Sequence, residues 1–95
     1  MPVVAILSIP GMTEAQYRTA RRHLGEALQP GNLVHIAGPI DEGWQVVEVW
    51  ESPEVMGAFY QSPAAGAAFQ AAGIPPTQPA VSAVDTLVAA AHPAA

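Results

Sequence analysis

The chain has 95 residues, a net charge of −5 and no cysteine. That length makes one domain, residues 1–95, and the missing thiols exclude disulfides, thiolate zinc sites, iron–sulfur clusters and cysteine nucleophiles together. Its only basic residues, Arg18, Arg21 and Arg22, crowd one short stretch, too few to neutralise a phosphate backbone, and with no lysine there is no Schiff-base chemistry.

Residues 3–9 (VVAILSI) form a short apolar run ended by Pro10-Gly11, which reads as a buried strand. Thr13 and Gln16 make a capping box, in which the hydroxyl accepts from the backbone and the amide reaches back. A helix is predicted over 14–28, with Ala15, Tyr17, Ala20, Leu24, Ala27 and Leu28 near helical spacing and the three arginines on the other side. Pro30-Gly31 is read as its stop. Residues 33–37 form a second strand, 38–43 a turn and 44–51 a third strand. Strands so close in sequence predict an antiparallel hairpin.

Ser52-Pro53-Glu54 is a helix start, with serine as cap, proline at the first position and an acid in the first turn. Ser62-Pro63 repeats the signal, so the helix breaks and restarts there, running to a C-cap at Gly73. Pro75, Pro76 and Pro79 stiffen a connector. Residues 81–88 are predicted as the fourth strand and 89–95 as a frayed tail.

Strand, helix, hairpin, helix, strand is the ferredoxin-like βαββαβ order, an α+β fold with a four-stranded antiparallel sheet. Both helices should cover one sheet face. The sequence is 51% hydrophobic and 12% charged. The other face is then too apolar to leave wet, and a homodimer covers it with one self-complementary surface. No apolar run approaches the ~20 residues of a membrane helix. The opening Met1-Pro2-Val3-Val4 lacks a basic leader, so a cytoplasmic protein is expected.

The third strand places Trp44, Val46, Glu48 and Trp50 on one face, a carboxylate between two tryptophans. The second places Leu33, His35 and Ala37 on one face. A hairpin loop of two or four residues pairs His35 with Glu48 and Leu33 with Trp50, whereas three residues turn His35 to the other face. Asp41-Glu42 suits a type I′ turn poorly, so the four-residue loop is preferred. Paired, Glu48 orients the imidazole as a general base while the tryptophans exclude water. The plainer interpretation is a structural His–Glu hydrogen bond. Tyr17 and Tyr60 lie on the covering helices, either as pocket hydroxyls or as ordinary core. Asp85 reads as a solvated edge charge, His23 as solvent-facing and His92 as part of the tail. Scattered histidines give no metal site.

Residues Val47-Glu48-Val49-Trp50-Glu51-Ser52-Pro53-Glu54, with Phe59 following, resemble the signature at the strand-three to helix-two junction of the antibiotic biosynthesis monooxygenase family. That family belongs to the dimeric α+β barrel superfamily. The resemblance implies a homodimer whose sheets build a barrel, with a pocket between sheet and helices in each subunit. It implies a cofactor-independent monooxygenase acting on an aromatic or polyketide-like molecule, or an isomerase or cyclase on the same fold. Trp50 is the implied pocket residue; the reading of the residues themselves adds Trp44, Tyr17, Phe59 and Tyr60 as further walls, and His35 and Glu48 as the catalytic pair. Haem-degrading relatives ligate iron through a histidine on helix two, and this chain has none between Ser52 and Gly73. The alternative is a non-catalytic dimer that binds a small apolar ligand or has a structural role.

Overall fold

A computed structural model describes residues 1–90; positions 91–95, which include His92 and most of the expected tail, lie outside the described residues. The elements are β1 (Val3–Pro10), α1 (Glu14–Leu24), β2 (Asn32–Ile40), β3 (Gly43–Trp50), α2 (Pro53–Tyr60), α3 (Pro63–Ala72) and β4 (Ala80–Ala83). The strands form one antiparallel sheet in the order β2-β3-β1-β4, the ferredoxin-like arrangement.

Local chemistry sets the helix starts. Gln16 N donates to Thr13 Oγ1 at 3.2 Å and Thr13 N donates to Gln16 Oε1 at 2.9 Å, completing the capping box. Ser52 and Ser62 cap α2 and α3 by accepting from the Val55 and Ala65 amides, each with proline following. Gly73, at φ 69°, closes α3. The first helix, expected to residue 28, ends at Leu24 instead. Gly25 adopts φ 91°, open to glycine and closed to most other residues, and its N–H returns to Arg21 O at 2.8 Å. Leu28 is consequently exposed.

The hairpin is tighter than expected. Ile40 pairs with Gly43, leaving a two-residue loop of Asp41 and Glu42 rather than four, and neither residue takes a positive φ. Instead the turn leans on β1: Glu42 O accepts from Gly11 N at 2.6 Å, and a Cβ at Gly43 would run into the Ile9 carbonyl. Gly38 and Pro39, expected in the turn, remain in β2, an edge strand that tolerates a missing N–H. Two and four residues give the same register, so His35 lies opposite Glu48.

Near its start β2 bulges. Asn32 pairs with Trp50 and Val34 with Val49, so Leu33 is extruded and Asn32, not Leu33, faces Trp50. Buried Asn32 holds the bulge, its Nδ2 donating to Val34 O and Val49 O at 3.0 and 2.9 Å. The fourth strand is also shorter than expected, Ala80–Ala83 rather than 81–88. Val3, the first residue of β1, already pairs with Ala83, so little strand is left to pair beyond it.

The helices cover one sheet face. Leu7, Ile9, Met12, Tyr17 and Trp44 form one buried cluster, and Val3, Ala5 and Trp50 form another with Val55, Met56 and Phe59 against them. Glu48 sits on β3 between the two tryptophans, opposite the small Ala5. On the other face Ile6, Val47 and Ile36 align across three strands, with Ile36 58% exposed. Among the described residues no helix is long and apolar enough to cross a membrane.

Candidate active site

The hairpin register turns a sequence alternation into a hydrogen-bonded pair: His35 Nδ1 lies 2.8 Å from Glu48 Oε2. The helices add a hydroxyl at each end. Tyr17, one turn into α1, places its hydroxyl 2.6 Å from His35 Nε2, and Tyr60, the last residue of α2, donates to Glu48 Oε1 at 2.7 Å. Four side chains thus run as Tyr17, His35, Glu48, Tyr60 from one helix across two strands to another.

The four line one cavity of about 100 Å³, whose other walls include Leu7, Ile9, Met12, Phe59, Phe69 and Ile74. It is largely apolar, with a few polar groups among its walls, the usual composition of a small-molecule site. An open groove of about 680 Å³ lies outside it and shares Tyr60, Phe69, Ile74 and Thr77 with its wall.

The tryptophans stand elsewhere. Trp50 is fully buried and Trp44 nearly so, and neither lines the cavity. They brace it from behind. Trp44 packs against the Tyr17 ring at 5.4 Å between centroids, and Trp50 against Phe59 at 5.2 Å and Tyr60 at 6.2 Å. Trp50, expected as the leading pocket residue, is therefore core, while Phe59, Tyr17 and Tyr60 do reach the cavity. Among the described residues neither indole N–H finds a hydrogen-bond partner.

Arg21 and Asn32 were not expected here. The arginines were assigned together to the outer side of the first helix, yet Arg21 lines the cavity with its side chain 19% exposed, whereas Arg18 stays 60% exposed. The i,i+4 spacing from Tyr17 is the signal that marks it, since it shares that residue's helix face. Asp85 is exposed, accepts from Thr86 and does not line the cavity; His23 is exposed. Among the described residues no cluster of three or more potential metal ligands forms.

Burial controls the phenols. The Tyr60 hydroxyl is pushed far above its ordinary value, first by desolvation and then by the charge and hydrogen bond of Glu48. Tyr17 is raised by desolvation too, with Arg21 and Arg18 opposing. Both phenols are therefore neutral donors at ordinary pH.

No protein-family model matches the chain, and no curated protein sequence does. Solved structures do. A candidate antibiotic biosynthesis monooxygenase from Chloroflexus aurantiacus is 20% identical, with 97% of each chain covered and a TM-score of 0.61. A second candidate of that name from Deinococcus radiodurans is 12% identical, covering 97% of this chain and 100% of the other, with a TM-score of 0.64. At these identities it is the fold that is shared: the chain adopts the ferredoxin-like α+β fold of these two proteins, over nearly its whole length.

Proposed function

We propose that the chain is a homodimeric, cofactor-independent monooxygenase that removes a proton from an aromatic or polyketide-like molecule and lets the resulting carbanion react with O₂. The observation that carries this is the His35–Glu48 pair, 2.8 Å apart in the wall of a largely apolar cavity. An enolisable CH₂ loses a proton to the imidazole, which Glu48 orients and stabilises as imidazolium. The carbon then adds O₂, and the hydroperoxide loses water to leave a carbonyl. Apolar walls favour that sequence by keeping water from the carbanion. The likeness in fold to two candidate antibiotic biosynthesis monooxygenases supports the reaction class. A cavity of about 100 Å³ accommodates roughly one ring, against ~300–1,000 Å³ for drug-sized ligands, so the rest of a larger substrate would extend along the outer groove.

The dimer is supported by the open sheet face, where Ile6, Val47 and Ile36 form an apolar row that no helix among the described residues covers. One observation favours the non-catalytic alternative: the four polar side chains already satisfy one another, as a purely structural tie would. Oxygen uptake separates the two. Enolisable aryl ketones should consume O₂ one-for-one with carbonyl product, and Glu48→Gln should slow the uptake by roughly 10²–10⁴-fold. A panel giving none above the uncatalysed rate would reject the enzyme in favour of a binding or structural role.

A further inference from the structure

We propose that Tyr17, not His35, is the residue that meets the ligand: it takes the ligand's proton and passes its own to His35, while Arg21 holds the anion left behind. This rests on the proton-abstraction chemistry proposed above and changes which atoms perform it.

The hydrogen bonds fix a direction. As a carboxylate, Glu48 accepts at both oxygens, from Tyr60 at Oε1 and from His35 at Oε2. The neutral imidazole must then carry its hydrogen on Nδ1, which leaves Nε2 a bare acceptor. Tyr17 donates to it across 2.6 Å. Both ring nitrogens are thereby engaged, and the imidazole offers the cavity no free lone pair. Tyr17 does: no other hydrogen bond reaches its oxygen among the described residues, and the residue lines the cavity. A ligand O–H or acidic C–H breaks as a new O–H forms on Tyr17. The original Tyr17 O–H breaks in turn as Nε2–H forms, and the imidazolium rests against Glu48. Tyr60 donates from the far end and only holds the carboxylate in place.

Arg21 completes this corner. It stands one helical turn beyond Tyr17, lines the same cavity and is mostly shielded from water. Its Nη2 donates to Glu26 O at 2.9 Å, and no other hydrogen bond of its guanidinium is found among the described residues. Its acidic neighbour, Glu26, is 86% exposed and 3.9 Å away, a contact that water largely screens. Arg18, by contrast, is mostly solvated beside Glu14. Arg21 and Glu48 together leave the cavity neutral before and after the transfer, so the step moves charge within the site without adding any. The ligand this corner fits is compact, about one ring, with a hydroxyl or enolisable position whose oxygen becomes anionic beside Arg21.

4-Nitrophenol tests this directly, since its phenolate absorbs where the phenol does not, and nitrobenzene reports the same cavity without a proton. At a pH where free 4-nitrophenol is neutral, the wild type should bind it as the phenolate. Tyr17→Phe should bind nitrobenzene as before and leave 4-nitrophenol neutral. Arg21→Gln should weaken 4-nitrophenolate binding about tenfold or more, the loss of one charged hydrogen bond, and leave nitrobenzene unchanged. Ionisation by Tyr17→Phe equal to wild type would overturn the inference alone, because His35 would then be taking the proton itself. A neutral probe on the wild type, or full ionisation by His35→Gln, would overturn the proton-abstraction chemistry as well. Should Tyr17→Phe fail to fold, unchanged phenolate affinity in Arg21→Gln still refutes the anion corner.

Discussion

Tyr60 donates its hydroxyl to Glu48 Oε1 at 2.7 Å while His35 occupies Oε2, so the carboxylate is held at both oxygens before any ligand arrives. Replacing it with an amide should reverse the chain beyond it. In Glu48→Gln the carbonyl oxygen can still accept from Tyr60, but the NH₂ must donate to His35 Nδ1. The hydrogen then moves to Nε2 and the Tyr17 hydroxyl becomes an acceptor. Nitrogen-15 NMR of the imidazole should show Nδ1–H in the wild type and Nε2–H in the variant, with any proton-abstraction activity down by roughly 10²–10⁴-fold. The same tautomer in both proteins would mean that Glu48 does not set it.

The chain has two tyrosines, and burial raises both phenols. In the unfolded chain they ionise near the ordinary value of about 10, whereas in the fold they keep their protons longer. The folded state therefore binds more protons above that pH. Stability from this source is full below about pH 10 and falls as the pH rises through the elevated folded values. Phenolate absorbance should stay flat past the normal tyrosine range and then rise together with loss of helical circular dichroism. Two ordinary titrations in a still-folded protein would contradict the burial.

Trp50 is core and not cavity wall. Trp50→Ala should cost about 3–5 kcal/mol in denaturant unfolding, the usual range for an emptied aromatic site. Trp50→Phe, which retains a ring against Phe59 and Tyr60, should leave nitrobenzene affinity nearly unchanged. A large loss of affinity in a well-folded Trp50→Phe protein would put the indole back in the binding surface.

The open face of the sheet gives a test of assembly. Ile36 is 58% exposed in the single chain, so Ile36→Glu should barely alter its intrinsic packing. If a second copy covers that face, sedimentation of the wild type gives twice the 9.8 kDa chain mass, and the variant gives the chain mass itself. A wild type sedimenting as a single chain would dispose of the dimer.

Asn32 bridges two backbone carbonyls from a buried position, and Asn32→Ala would leave both without that donor. The expected cost is about 1–3 kcal/mol in thermal or denaturant unfolding. Backbone amide shifts should move at Val34 and Val49. A neutral substitution would mean that the ladder alone maintains the bulge.

The helix starts were legible because capping is local: Thr13 with Gln16, Ser52 with Pro53 and Ser62 with Pro63 each act within four residues. The facing of His35 and Glu48 was legible because loops of two and four residues share a register, so the error in loop length did not matter. The end of α1 was hidden by Ala27 and Leu28, which continue the apolar spacing past Gly25, where the backbone turns left-handed. Leu33 concealed the bulge, since alternation alone favours leucine over asparagine at a buried site. Arg21 was hidden by its charge: three arginines close in sequence read as one solvated face, although only tertiary packing decides which of them turns inward.

The side-chain chain from Tyr17 to Tyr60 also has a mechanical consequence. It fastens α1 to β2, and β3 to α2, through hydrogen bonds that any ligand seeking Tyr17 must share. Helix docking and site occupancy should then be coupled, with amide-exchange rates in α1 and α2 changing together on binding. In so small a protein there is no remote scaffold to absorb the disturbance. A substitution that breaks one of these hydrogen bonds should also loosen how tightly the helices hold the sheet.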